Sequence, residues 1–98
     1  MDLIYHITTV DWWNRFSNEN QYRSPTLSEE GFIHCSKQEQ VDGVLKRYYT
    51  NDKDLLLLHI DSSQLTALLK FELATNKELF PHVYGAINKS AIIRVESI

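Results

Sequence analysis

A single α+β domain with short helices and a mixed, split sheet of about five or six strands is the fold class the sequence predicts, from three observations. Short apolar runs bounded by turn formers recur along the chain and read as strands. Two Ser/Thr-x-x-Glu signatures fall between the early runs and mark helix starts. The later half carries mostly alternating patterns, so helices and strands do not interleave throughout.

The first run, LIYHIT at 3–8, sets Ile4 and His6 on one face and Leu3, Tyr5 and Ile7 on the other, a strand apolar on both faces except at His6. Thr8 or Thr9 can cap the helix that follows, and Asp11 in its first turn suits the helix dipole. That short helix is expected to bury Trp13 and Phe16, with Trp12 at the margin, and SNENQ ends it because it offers no apolar face. TLSE at 26–29 is the first capping box, closed by Gly31, and leads into FIHC. SKQE at 36–39 is the second. It opens a helix over 37–49 whose stripe is Val41, Val44, Leu45 and Tyr48.

LLLLHID at 55–61 reads as a central strand, and SSQLTALL at 62–69 as another short helix with Leu65, Leu68 and Leu69 inward. KFELA at 70–74 alternates, which predicts Phe71 and Leu73 buried with Lys70 and Glu72 turned away. Pro81 forces FPHVYG to be extended. AIIRVESI at 91–98 completes the strands.

A chain of 98 residues that is 43% apolar holds one core, so a single domain over 1–98 is expected. Ten Lys and Arg against thirteen Asp and Glu, scattered without a run, give no field that would steer the chain to nucleic acid, so the charge does not indicate RNA as a partner. A lone Cys35 excludes an internal disulfide and points to a reducing compartment. LLLL is too short to span a bilayer, so a cytoplasmic protein without a membrane partner is expected.

Chemistry points to four histidines, His6, His34, His59 and His82, each within an extended segment. His6 and His34 both end their strands just before a capped helix. If those strands lie side by side, two imidazoles and the amides and hydroxyls of Thr8 and Ser36 open onto one cleft suited to a polar or anionic ligand. Cys35 faces away from His34, because neighbours in a strand point to opposite sides, and reads as a small buried hydrophobe. His59, inside a leucine run, is assigned to the core.

The segments IYHIT, EGFIHCS, Gln40, LLLLHID, LKFE and FPHVYG together resemble the bacterial domain-of-unknown-function family nine-five-two over nearly the whole chain. That family is similar in fold to the ADP-ribosyltransferases and their relatives, the NAD-using RNA 2′-phosphotransferases. LIYHIT resembles the first-strand motif that grips nicotinamide and ribose, which implies that His6 holds a ribose, and GFIHCSK resembles the second-strand motif, which puts Ser36 beside the nicotinamide pocket. The usual glycine and tyrosine of those motifs are Ile7 and Ile33 here. Glu72 and Glu96 compete for the catalytic glutamate, and only Arg23 and Arg94 match the phosphotransferase arginines. The resemblance thus implies a nucleotide-like small molecule, NAD as cofactor, catalytic His34, Glu72 and His82, and a ligand held by His6, Thr8, Ser36, Gln40 and Tyr84. Two other readings stand beside it: a metal site of His6, His34 and His82, and a non-catalytic module contacting partners through Trp12 and Tyr49.

Overall fold

The computed structural model describes residues 2–74 and 76–98. In chain order, β1 (Leu3–Thr9) leads into α1 (Val10–Asn14), β2 (Gln21–Tyr22), α2 (Leu27–Glu30), β3 (Ile33–His34) and α3 (Val41–Tyr48). The second half contains β4 (Leu55–Asp61), β5 (Leu68–Leu73), β6 (Leu79–Tyr84), β7 (Ile87–Asn88) and β8 (Ile92–Ser97). The strands form a sheet of order β1-β4-β8, a sheet of order β3-β6-β5 and a ribbon of β2 with β7.

The sheet is split as expected, but it is not mixed: every pairing among the described residues is antiparallel. A parallel pair needs a crossover connection of about a dozen residues or more, usually a helix that carries the chain back along the strands. The eight residues of α3 rise only about 12 Å, roughly half the length of a seven-residue strand. The two larger sheets are stitched where Tyr5 and Ser36 exchange main-chain bonds of 2.8 and 2.7 Å. Ser36 is therefore an end of the strand edge and not a helix cap.

The first helix is capped by the Thr9 hydroxyl, which accepts from Trp12 N–H at 3.1 Å. In α2, Thr26 makes no side-chain cap, although Gly31 ends the turn at φ 82° as its position implies. The second box lies one residue later than its sequence signature. The Gln40 carboxamide oxygen accepts from Lys37 N–H at 2.9 Å, and a 3₁₀ turn at Gln38–Gln40 precedes α3. Val44 is buried on the inner stripe of α3, but Tyr48 is 67% exposed. The helix ends there, and Tyr49 just beyond it packs inward instead.

The helix expected over 62–69 is only a 3₁₀ turn at Ser62–Gln64, capped by the Asp61 carboxylate, and the chain then enters β5. Phe71 and Leu73, expected to be buried, are 49% and 68% exposed, because β5 is an edge strand whose outer surface no layer covers. Trp13 is half-buried against the core that Phe16 enters fully.

Two apolar clusters hold the molecule together. Ile4, Tyr22, Ile33, Cys35, Leu58, Ile60, Val83 and Ile87 pack between the sheets, and Tyr5, Ile7, Leu55, Leu57 and Phe80 pack with Val44 of α3. Among the described residues no helix is long and apolar enough to cross a membrane.

Candidate functional site

The register of the second sheet follows from alternation. His34 pairs with His82 and Ile33 with Val83, so both imidazoles share one face while Ile33, Cys35 and Val83 share the core face. Lys70 pairs with His82 and Leu68 with Tyr84, which brings Glu72 onto the histidine face as well. Phe32 stacks on His82 with ring centroids 4.0 Å apart, and His34 lies 5.7 Å from His82.

Glu72 ties this face together. His82 Nδ1 is 2.9 Å from the Glu72 carboxylate, and since an ionised carboxylate only accepts, that nitrogen carries the hydrogen. The Tyr84 hydroxyl donates to the same oxygen. These two donors, Tyr84 first, hold the Glu72 carboxyl below the usual carboxylate range, and the carboxylate in turn raises the Tyr84 phenol. With Nδ1 oriented in this way, Nε2 is the basic nitrogen of His82.

His6 has no nitrogen to spare. Its Nδ1 donates to the His34 carbonyl at 2.7 Å, and its Nε2 accepts from the buried Tyr22 hydroxyl at 2.8 Å. Burial, opposed in part by that carbonyl, lowers its pKa to about 4 and keeps it neutral. The ring therefore fixes β1 against β3, and it does not offer a donor to a ribose. Burial, then the neighbouring His82 and Arg47, also lowers His34, with Glu30 opposing.

A cleft of about 190 Å³ opens at the end of β1, lined by His6, Thr8, Ser24, His34, Ser36 and Tyr49 among others. Two buried polar atoms among the described residues lack a hydrogen-bond partner, Ser24 Oγ and His34 Nε2, and both residues line this cleft. Among the described residues no Lys, Arg, Asp or Glu lines it. A second hollow of about 550 Å³ shares His34, Val44 and Tyr49 with the first and extends over Phe32, Tyr48 and His82. His34 also borders a smaller recess with Arg47 and Tyr48.

The structure thus gathers His34, Ser36 and Thr8 at the inner chamber and His82 at the outer one, with Glu72 and Tyr84 behind His82. Gln40 is elsewhere: its amide donates to the Leu79 carbonyl at 2.8 Å and to Glu78, and it lines neither chamber. Among the described residues no three metal-ligating side chains converge, so His6, His34 and His82 do not form the alternative metal site. His59 is half-buried, with Nε2 2.8 Å from Glu96, and the pair stands on the other sheet. Arg23 pairs with Glu19 at 3.3 Å and Arg94 lies near Glu96, so neither arginine reaches the cleft.

Sequence reasoning missed Ser24, Tyr22 and Arg47. Tyr22 is fully buried, and the one signal for it was a lone aromatic within a polar stretch. The segment carrying Ser24 is pinned over the cleft by Trp12, whose indole N–H donates to the Arg23 carbonyl at 2.7 Å.

A family model described as "Protein of unknown function (DUF952)" matches residues 7–95. The crystal structure of protein CC0527 from Caulobacter crescentus is 27% identical and superposes with a TM-score of 0.88, over 97% of this chain and 84% of that one. The solution NMR structure of CC0527 is also 27% identical, with a TM-score of 0.84 over 100% of this chain and 85% of that one. No curated protein matches.

Proposed function

The chain belongs to the DUF952 family, and we propose that it binds a nucleotide-like small molecule, NAD-derived, with a neutral polar part in the inner chamber beside His34. One observation carries the reading: Ser24 Oγ and His34 Nε2 are buried without a partner, and both residues line one cleft. Each such group left unpaired costs about 1–3 kcal/mol, which a ligand offering a complementary donor and acceptor recovers. A carboxamide or a pair of sugar hydroxyls has that complement. A phosphate does not suit the inner chamber, since burial lowers both its histidines and disfavours their charged forms, and among the described residues no cation lines it.

A chamber of about 190 Å³ takes a ring or a pentose but not a dinucleotide. The remainder would extend past His34 over Phe32 and His82, with Arg47 available to a phosphate at the rim. His6, tied to the His34 carbonyl and the Tyr22 hydroxyl, does not take the ribose-holding role of the first-strand motif. The likeness of GFIHCSK to the second-strand motif of ADP-ribosyltransferases supports an NAD-derived ligand. The arginine positions favour it over a 2′-phosphorylated RNA, because Arg23 and Arg94 lie outside the cleft. In this reading Ser24, His34 and Ser36 hold the ligand, and Thr8 and His6 shape the chamber. His82, its Nδ1 hydrogen held by Glu72, offers Nε2 as a hydrogen-bond acceptor to a hydroxyl of the part of the ligand that lies over Phe32.

Titration of the labelled protein with nicotinamide, ribose, ADP-ribose and NAD, read by amide chemical shifts, tests the proposal. Shifts at Ser24, His34, Ser36 and Tyr49 are expected, and Ser24→Ala and His34→Ala should each weaken binding by roughly tenfold. If none of the four compounds moves these resonances, the proposal fails.

A further inference from the structure

Strand β5 is a free edge of its sheet, and an apolar one: Leu68, Phe71 and Leu73 are 59%, 49% and 68% exposed. Such an edge is a template for another strand unless something covers it. The backbone determines which groups it presents. Ala74 N–H donates to the Glu78 carbonyl at 2.9 Å, continuing the β5–β6 register in which Phe71 faces Pro81 and Lys70 faces His82. Bonded and non-bonded pairs alternate along an antiparallel ladder, so Lys70 and Glu72 bond inward to β6. Pro81 fits this pattern, since its carbonyl turns the other way and accepts from Cys35 N–H at 2.9 Å. Leu69, Phe71 and Leu73 therefore turn their N–H and C=O groups toward the open edge.

We propose that β5 pairs antiparallel with β5 of a second copy of this chain about a two-fold axis at Phe71, making one sheet continuous across a homodimer. Charge selects both the occupant and the register. An axis at Lys70 sets that residue against itself, and an axis at Glu72 sets two carboxylates together; like charges directly opposite are unfavourable. An axis at Phe71 places Lys70 opposite Glu72 of the second copy on both sides of the axis. Leu69 then meets Leu73, and the outward groups of Leu69, Phe71 and Leu73 all find partners. The segment LKFEL is thus complementary to its own reverse. Lys70 of the second copy also comes to face the carboxylate that holds His82 and Tyr84, so the partner adds a cation beside the outer chamber.

Sedimentation equilibrium of the full chain, with oxidative cross-linking of single-cysteine variants, tests both the dimer and its register. A doubled mass is expected. Residues directly opposite in a bonded pair lie within disulfide reach, so Phe71→Cys should cross-link on mild oxidation and Lys70→Cys should not; Cys35 is fully buried and does not interfere. Lys70→Glu, an exposed change, should raise the dimer dissociation constant roughly tenfold or more, and the double exchange Lys70→Glu with Glu72→Lys should restore it. Circular dichroism confirms that each variant is folded. A monomer at every concentration, or a dimer insensitive to Lys70→Glu that does not cross-link at residue 71, overturns the proposal.

Discussion

His6 shows what a buried imidazole does to stability. Its pKa is about 4 in the folded chain against an ordinary 6.5, with burial as the largest cause. Between those values the unfolded chain binds a proton that the folded chain refuses, so stability rises with pH across that window. The contribution is fully present above pH 6.5 and is lost as pH falls to about 4, amounting to about 3 kcal/mol. His34, lowered for the same reason, adds a loss of the same sign, whereas Glu72, Glu96 and Asp61 act further down because their carboxyls lie below the ordinary carboxylate range. Urea unfolding measured from neutral pH down to about 4.5 should show this fall, and His6→Gln should flatten it; a slope unchanged in that variant would refute the assignment. Alternation made part of this legible in the sequence, since His34 and His82 each sit between core residues and so share a face once β3 and β6 pair. The difference between His6 and His34 was not legible. Both have apolar neighbours, and what separates them is the Tyr22 hydroxyl, contributed by a strand of two residues that no periodicity announces.

At the scale of elements, two glycines close the turns around the site for different reasons. Gly31, at φ 82°, has nothing within 4 Å of where a Cβ would stand, so Gly31→Ala meets backbone strain alone, about 1 kcal/mol. Gly85, at φ 143°, would also bring a Cβ to 3.2 Å from Ala67, so Gly85→Ala should cost more, roughly 2 kcal/mol or above. Denaturation midpoints of the two variants check the order, and an equal loss would show that the Ala67 contact yields freely. Gly31 was readable as the stop of a helical turn, whereas Gly85 was readable only as a corner. The other misreadings of elements share one cause, which is that local signals lost to tertiary bonding. The SKQE box moved one residue because Ser36 spends its main chain on Tyr5. The helical leucines after Asp61 became strand because Leu68 and Leu69 pair with Tyr84 and Val83.

For the whole molecule, stability is concentrated away from the site. β4 lies between β1 and β8, and Leu58 and Ile60 within it are fully buried, so its amides should open only when the entire chain unfolds. The cleft is assembled instead from the end of β1, the two-residue β3, α3 and the Ser24–Thr26 segment. That arrangement leaves its walls free to adjust to a ligand while the core holds, and it predicts two classes of hydrogen exchange. Leu58→Ala should cost about 2–5 kcal/mol and accelerate the β4 amides by the matching factor. The amides of Ser24 and Thr26 should instead exchange through local opening, which does not pass through β4, so their rates should stay nearly constant. If Leu58→Ala accelerates both groups equally, the cleft opens only with the whole fold, and a ligand would have to fit a rigid chamber.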